Sequence, residues 1–221
     1  MEHSNLWNML EKAAASSVQG GIVHFAQGDR ASDRTEIRYQ YRQLFKEARL
    51  KSQTIVKELF FIHKPIQHRV NAELEMNRIV VLHFDSPFES IVWFWAVIAA
   101  GGIPCLSSPF KGNHQDRHRY IMGLRKLLEN PLMITTSDLF PLFPSRKKEF
   151  IRLTTVKELL RPGYDKSVDY VTPTFAFPGA TRTLDDMAMI MLTSGSSGQP
   201  KAVGLKHGQI LRSLQGKSRM Q

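Results

Sequence analysis

The chain has 221 residues and a formal net charge of +10, with 42% hydrophobic and 23% charged residues. This composition is typical of a globular protein and excludes a disordered chain, and the single cysteine, Cys105, excludes a disulfide within the chain. The longest apolar run, residues 91–103, is shorter than the roughly 20 residues of a membrane span, and the first residues lack the order of a secretory signal. We therefore expect a soluble, cytoplasmic protein.

The positive charge makes polyanion binding an alternative to consider. Lysines and arginines are scattered along the chain, and their tightest clusters are residues 146–148 and residues 212–221. The sequence contains no zinc-finger spacing, RNA-recognition signature or basic heptad. A solvated basic surface is the favoured interpretation, and specific nucleic-acid binding is not expected.

The N-terminal part of the chain is predicted to be mainly helical. Residues 1–30 contain small and polar residues that predict a short helix followed by a loop. Residues 39–61 predict an amphipathic helix, because apolar residues recur among charged ones at near-helical spacing. These apolar residues are Leu44, Ala48, Ile55 and Leu59. Residues 62–77 are polar, contain Pro65 and are predicted to form a loop.

The middle of the chain alternates short apolar runs with helical segments. The apolar runs predict buried strands at residues 79–84, 103–106 and 132–135. The segments between them predict helices at residues 87–100 and 114–129, the first with Ser86 as its N-cap. Strands and helices that alternate with short connections favour right-handed crossovers. We therefore predict an α/β fold with a mainly parallel sheet covered by helices, in which these strands are neighbours.

The last third of the chain is predicted to contain two more strands. Residues 140–178 are rich in proline and predicted to be irregular, apart from a short helix at residues 154–160. Residues 184–193 predict a buried strand, and a second apolar strand is predicted to start near Lys201. Residues 194–200 should then form a solvent-exposed turn between them.

This turn carries the most informative motif of the chain, TSGSSGQPK at residues 193–201. Its glycines allow backbone N–H groups to approach a ligand closely, its hydroxyls add donors, and Lys201 adds a positive charge. That combination suits phosphate oxygens, although the spacing does not match the Walker P-loop pattern. The alternative is a Ser/Gly linker, which the apolar segments on both sides of the motif argue against.

The stretch LTSGSSGQPKAV, residues 192–203, resembles the phosphate-loop signature of adenylate-forming enzymes, which include acyl-CoA synthetases and adenylation domains. It departs from that signature at Ser197, which replaces the usual threonine and keeps its hydroxyl. Residues 185–188 are similar to the family's approach to this strand, and residues 93–110 to one of its helix-end segments. Residues 80–110 also resemble, more loosely, a fungal branch that heads secondary-metabolite synthases.

The resemblance implies ATP-dependent activation of a carboxylic or amino acid, which forms an acyl-adenylate and then a thioester. It also implies that ATP binds together with Mg²⁺ and that one group of residues holds the β- and γ-phosphates. By resemblance, these residues are Thr193, Ser194, Gly195, Ser196, Ser197, Gly198 and Lys201. None of them is a nucleophile or a general base, so no catalytic residue and no metal ligand of the protein is assigned.

By the same resemblance, residues 1–221 are part of the large domain of such an enzyme, with residues 1–35 as its N-terminal leader segment. The family's adenine- and ribose-binding runs and the catalytic lysine of its small domain have no counterpart in the sequence. We therefore expect a fragment that is inactive alone. The alternatives are a non-catalytic remnant or interaction module and, with less support, a basic polyanion-binding protein.

Three further candidates are expected to have structural roles. His114 and His118 have a spacing compatible with metal binding on a helix, but the sequence offers no third ligand, so an exposed helix face is favoured. Cys105 lies in a predicted strand and is expected to be a buried thiol. His207 follows the second strand of the turn, and we expect it to support the loop without taking part in chemistry.

Overall fold

The computed structural model describes residues 4–16, 20–27, 34–60, 78–107, 112–143, 152–161, 177–194 and 200–218. Within these segments the helices are α1 (Leu6–Ala15), α2 (Tyr41–Phe60), α3 (Pro87–Ala99), α4 (His114–Leu127), α5 (Val156–Leu159) and α6 (His207–Ser218). The strands are β1 (Gly21–Gln27), β2 (Arg34–Gln40), β3 (Ile79–His83), β4 (Ile103–Leu106), β5 (Leu132–Thr135), β6 (Leu153–Thr155), β7 (Met187–Ser194) and β8 (Pro200–Lys206). Short 3-10 turns cover Phe140–Leu142 and Pro178–Thr181.

Six of the described strands form one sheet in the order β6-β5-β3-β4-β7-β8. Every neighbouring pair is parallel except β7 and β8, which are antiparallel. β3 lies between β4 and β5, and α3 and α4 connect these three strands. The predicted α/β fold with a mainly parallel sheet is confirmed, as is the adjacency of the three strands. β1 and β2 form a separate antiparallel hairpin.

Helices cover both faces of the sheet, because successive residues of a strand point to opposite faces. Val80 and Leu82 of β3 pack in a core shared with α1, α2 and α3, whereas Ile79 and Val81 pack in a second core with α4. All five residues of β3 are consequently buried, which is the pattern of a strand between two helical layers.

The N-terminal helices belong to the first of these cores. All four apolar residues that predicted the amphipathic helix are buried in α2, which confirms its orientation: Leu44, Ala48, Ile55 and Leu59. In α1, Trp7 is buried and stacks on Phe45 of α2, with ring centroids 4.8 Å apart. α1 is therefore fixed to the body of the domain by apolar packing.

Polar residues set the starts of the central helices, as the sequence indicates. The Ser86 hydroxyl accepts a hydrogen bond from the Glu89 N–H, and Pro87 follows as the first helical residue of α3. The Asn113 side chain caps α4 in the same way, because its oxygen accepts from the backbone N–H groups of Gln115 and Asp116.

Two predictions about irregular segments are wrong. A loop is expected between residue 16 and residue 30, but β1 lies there, because its backbone pairs with β2 and Ile22 packs against the helical core. The proline-rich stretch at residues 140–178 is expected to contain no strand, yet β6 pairs with β5. In both segments the strand depends on a pairing partner that local sequence does not reveal. The predicted loop at residues 62–77 lies outside the described residues.

No helix within the described residues combines the length and the apolar character that a membrane crossing requires.

Candidate functional site

The predicted phosphate-binding turn joins the two strands of the β7–β8 hairpin. β7 ends at Ser194 and β8 begins at Pro200, in agreement with the predicted strand boundaries. The turn residues between them lie outside the described residues, and they include the predicted site residues Gly195, Ser196, Ser197 and Gly198. The described part of the site is therefore the base of the turn.

Thr193 and Lys201 lie opposite each other at this base, as register partners in the antiparallel ladder. Register partners in such a ladder point to the same face of the sheet, with Cβ atoms about 4.5–5.5 Å apart. Both residues are exposed to solvent. A hydroxyl and an ammonium group thus stand side by side where the chain enters and leaves the turn, a pairing that the sequence motif alone does not reveal.

The charges of the hairpin are neutralised at one end only. At the end far from the turn, Lys206 Nζ lies 3.7 Å from Asp185 Oδ1, and Arg182 Nη1 lies 3.6 Å from Asp186 Oδ1. Burial is the largest single influence on the pKa of Asp186 and raises it, but hydrogen bonds from Thr183 and the charge of Arg182 together outweigh burial and lower this pKa. No carboxylate of the described segments is ion-paired with Lys201. Among the described segments, the lysine of the hairpin that no carboxylate pairs with therefore lies beside the turn.

One face of β7 is exposed near the turn, whereas Leu192 on the other face is half-buried against the second core. This corrects the prediction of a strand that is buried up to its end. Ile190 is buried, but Met191 is 48% exposed, and its register partner Val203 is 46% exposed. Leu106, 41% exposed, ends β4 beside this pair, because β4 and β7 are in register at the residues just before. We call these three residues the apolar row. No helix of the described segments buries them. The apolar sequence of β7 therefore does not lead to burial at Met191.

His207 lies at the far end of the hairpin, as the first residue of α6. It is buried, and its Nδ1 accepts a hydrogen bond from the backbone N–H of Leu6 at 3.2 Å. Burial and the charge of Arg182 lower its pKa to about 4, against the opposing effect of Asp186. The described contacts of His207 are thus with the N-terminal helix and with the end of the hairpin that is far from the turn. We therefore expect its predicted support of the loop to act through the hairpin.

A buried polar cluster that the sequence did not single out lies where β3, β4 and β5 end. His83 Nδ1 is 3.2 Å from Ser107 Oγ, which is 3.4 Å from the Tyr120 hydroxyl, and Thr135 Oγ1 donates to the His83 carbonyl at 3.0 Å. Burial lowers the pKa of His83 to about 4, opposed by the charge of Asp85. The sequence signal for this cluster is weak, because His83 stands inside an otherwise apolar run. The cluster joins the strand ends to α4.

The other candidate residues lie away from the hairpin turn. His114 is exposed and His118 half-buried on α4. Cys105 is fully buried in β4, which confirms the expected core thiol, and burial raises its pKa to about 12. Neither histidine belongs to a group of metal-ligating side chains in the part of the chain that the structure describes.

Comparison with known sequences identifies relatives among fungal enzymes, although no family model matches the chain. The chain is 39% identical over 142 residues to the nonribosomal peptide synthetase acyN of Ascocoryne sarcoides, a match that covers 64% of this chain and 14% of the relative. It is 33% identical over 207 residues to the microperfuranone synthase of Emericella nidulans, with 93% of this chain and 20% of the relative covered. The chain therefore spans about a fifth or less of the length of these curated relatives.

Comparison with solved structures finds the same fold in larger proteins. The structure of McyG A-PCP complexed with phenylalanyl-adenylate matches 96% of this chain and 34% of that chain, with a TM-score of 0.67 and 21% identity. A fatty acyl-adenylate ligase from L. pneumophila, in complex with acyl adenylate and pyrophosphate, matches 97% of this chain and 32% of that chain, with a TM-score of 0.66 and 19% identity. At this level of identity the likeness concerns the fold.

Proposed function

The chain belongs to the adenylate-forming enzymes, in the branch of the fungal adenylation domains, and from this premise we propose that it supplies the phosphate-binding part of an acid-activating enzyme. In the proposed reaction a carboxylate attacks the α-phosphorus of ATP, which yields an acyl-adenylate and pyrophosphate, and a thiol then accepts the acyl group. We assign residues 1–221 to the large domain of this enzyme, including residues 1–35, and place its activity in the cytoplasm.

The observation that carries the proposal is the pairing of Thr193 with Lys201 at the base of the turn. Charge on the separating phosphates grows as pyrophosphate leaves, so donors that are already in place stabilise the transition state. The Lys201 ammonium and the Thr193 hydroxyl are exposed on one face and supply such donors. We propose that the β- and γ-phosphates bind there and continue onto the turn, with Ser194, Gly195, Ser196, Ser197 and Gly198.

The described residues also fit the use of Mg²⁺ together with ATP. Magnesium is usually held by one or two protein carboxylates, by water and by the phosphates of the substrate, and not by a dedicated protein cage. A serine or threonine hydroxyl beside the phosphates can also bind Mg²⁺, and the exposed Thr193 hydroxyl is such a group. When bound, Mg²⁺ would neutralise phosphate charge, and Lys201 would hold the phosphates from the protein side.

The test is titration of the 221-residue chain with pyrophosphate in the presence of Mg²⁺. The variant Lys201→Ala should weaken binding by about one to two orders of magnitude, because a hydrogen bond to a charged group contributes about 1.5–3 kcal/mol. Ser196→Ala tests the hydroxyls of the turn. The matched control is Lys206→Ala, which removes the same charge from the same strand at the end where Asp185 already neutralises it. Lys206→Ala should leave the affinity unchanged.

Three outcomes separate the proposal from its alternatives. Equal affinity in wild type, Lys201→Ala and Ser196→Ala would make the turn a scaffold element of a non-catalytic remnant or interaction module. Equal weakening by Lys201→Ala and Lys206→Ala, with affinity that falls steeply with salt, would indicate a general polyanion binder. We further propose that these 221 residues alone do not catalyse acid-dependent ATP–pyrophosphate exchange, because the adenine and ribose runs have no counterpart in them. Robust exchange would contradict this part of the proposal.

A further inference from the structure

The β7–β8 hairpin is buried more deeply at the end far from the turn than near it. Burial decreases along β7 from Ala188, which is fully buried, to Met191 and Thr193, which are exposed, while Leu192 between them is half-buried against the second core. β8 is exposed over most of its length and forms an edge of the described sheet. Side-chain packing near Thr193 and Lys201 is therefore limited to the face that carries Leu192, and the other end of the hairpin offers a further anchor.

The anchor is a set of hydrogen bonds made by His207 and Asn5 between the end of the hairpin far from the turn and the start of α1. We call this set of hydrogen bonds the clasp. The backbone N–H of His207 donates to the Asp186 carbonyl at 3.1 Å, which extends the pairing of β7 and β8 by one step. The His207 side chain then accepts from the Leu6 N–H at 3.2 Å. A single buried residue thus connects the hairpin to a helix 201 positions earlier in the chain.

Asn5 completes the clasp from the side of α1. Its side-chain oxygen caps the helix by accepting from the Asn8 N–H at 2.9 Å. Its side-chain nitrogen donates to the carbonyls of Arg182 at 2.7 Å and Ala180 at 3.3 Å, on the segment that leads into β7. Asn5 is fully buried, so its side chain depends on these partners instead of water for its hydrogen bonds.

The clasp requires a neutral imidazole. Nδ1 can accept from the Leu6 N–H only when the ring proton is on Nε2. The positive end of the α1 dipole and the guanidinium of Arg182 oppose a charged ring, and the carboxylate of Asp186 favours it. Burial is the largest influence on the pKa of His207 and also disfavours the charged ring, so the acceptor state of His207 prevails at neutral pH.

We infer that His207 and Asn5 are positioning residues for the phosphate-binding turn, which they hold by fixing the base of the β7–β8 hairpin to α1. This inference rests on the proposed function for the identity of the ligand. The described hydrogen bonds of both residues are with α1 and with the segment that leads into β7, so we expect both to act through the hairpin. Loss of the clasp should let the hairpin pivot about its pairing with β4 and lower the affinity for pyrophosphate.

The test compares His207→Leu, which removes the acceptor, with His207→Asn, whose side-chain oxygen can stand at the position of Nδ1. Amide hydrogen exchange of β7 and β8 should become about tenfold faster in His207→Leu, while exchange of β3 stays unchanged. Affinity for pyrophosphate should fall about tenfold, the effect of losing one buried hydrogen bond. His207→Asn should restore both readouts. A general loss of stability would accelerate exchange in β3 as well, and it would not be rescued by asparagine.

Asn5→Ser provides a second route if His207→Leu does not fold. Serine keeps the helix cap but cannot reach the carbonyls of Arg182 and Ala180, so exchange in β7 should again increase selectively. Unchanged exchange in both variants, or equal loss in His207→Leu and His207→Asn, would overturn the inference. If wild type itself does not bind pyrophosphate, the proposed function fails, and the exchange pattern alone then decides whether the clasp holds the hairpin.

Discussion

Cys105 of β4 lies opposite Ile190 of β7, and this register pair joins the antiparallel hairpin to the parallel part of the sheet. Both residues pack in the core beneath α4. β7, the strand that leads to the proposed phosphate site, is therefore attached to the domain in two places. One is its short parallel pairing with β4, and the other is the clasp with α1 at the end far from the turn. This arrangement places Thr193 and Lys201 at the rim of the described sheet, on a hairpin that is held at the end far from them.

The first prediction concerns the thiol at this junction. Burial raises the pKa of Cys105 to about 12, so the reactive thiolate is scarce at pH 8 in the folded chain. Native protein should resist alkylation by iodoacetamide, and one equivalent should react after denaturation in urea. Mass spectrometry of the two samples measures the difference. Labelling of native protein at the rate of a free thiol would show that β4 and β7 separate readily at this pair.

The second prediction is that acid destabilises the fold between pH 6.5 and pH 4. His83 and His207 have pKa values of about 4 in the folded chain, against an ordinary value of 6.5. Within this range the unfolded chain binds protons that the folded chain does not, so stability is complete above pH 6.5 and declines toward pH 4. The urea midpoint should therefore fall as the pH is lowered across this window.

The variants His207→Asn and His114→Asn make this measurement specific. Replacing buried His207 should flatten the pH dependence, whereas replacing exposed His114 should leave it as in wild type. A midpoint that stays constant or rises on acidification from pH 6.5 to pH 4 would contradict the assignment of neutral, buried histidines.

The third prediction concerns Gly179, where the 3-10 turn before β7 passes close to the end of α3. A β-carbon at Gly179 would lie 2.0 Å from the Ile98 carbonyl oxygen and 2.9 Å from that of Ala99, both of them backbone atoms. Gly179→Ala should therefore destabilise the domain by about 1–3 kcal/mol or more, since the overlap forces a backbone shift.

Gly216→Ala is the matched control, because nothing lies within 4 Å of a β-carbon at that position of α6. Alanine at a helical position should stabilise the protein by about 0.5–1 kcal/mol, so the two substitutions should have opposite signs in urea denaturation. Equal effects would mean that the close approach at Gly179 relaxes without cost.

The fourth prediction concerns the apolar row of Leu106, Met191 and Val203. An exposed apolar surface next to an edge strand promotes association of copies. Met191→Lys should reduce the light scattering of concentrated protein without lowering the urea midpoint, because the side chain it replaces is largely exposed. A lower midpoint together with unchanged scattering would show that Met191 contributes to the folded core instead.

Much of the central fold could be predicted from local sequence. Ser86 and Asn113 cap their helices as their residue types indicate, and the apolar runs that became β3, β4 and β5 are each short and continuous. These features rest on interactions within a few residues. β1 and β6 escaped prediction because each depends on a partner strand. β6 contains a single apolar residue, Leu153, and β1 follows a run of small and polar residues that predicts a loop.

For the candidate site, the chemistry could be predicted from the residues alone: a segment rich in glycine and hydroxyls that ends in Lys201 and resembles a phosphate-binding signature. That Thr193 lies opposite Lys201, that Met191 is exposed and that His207 contacts Leu6 became evident only in the folded chain. Residue type sets which groups can bind an anion, since donors and charges belong to side chains and local backbone. Strand register, burial and a contact between residues 201 positions apart arise only in the folded chain, because they depend on which distant segments pack together.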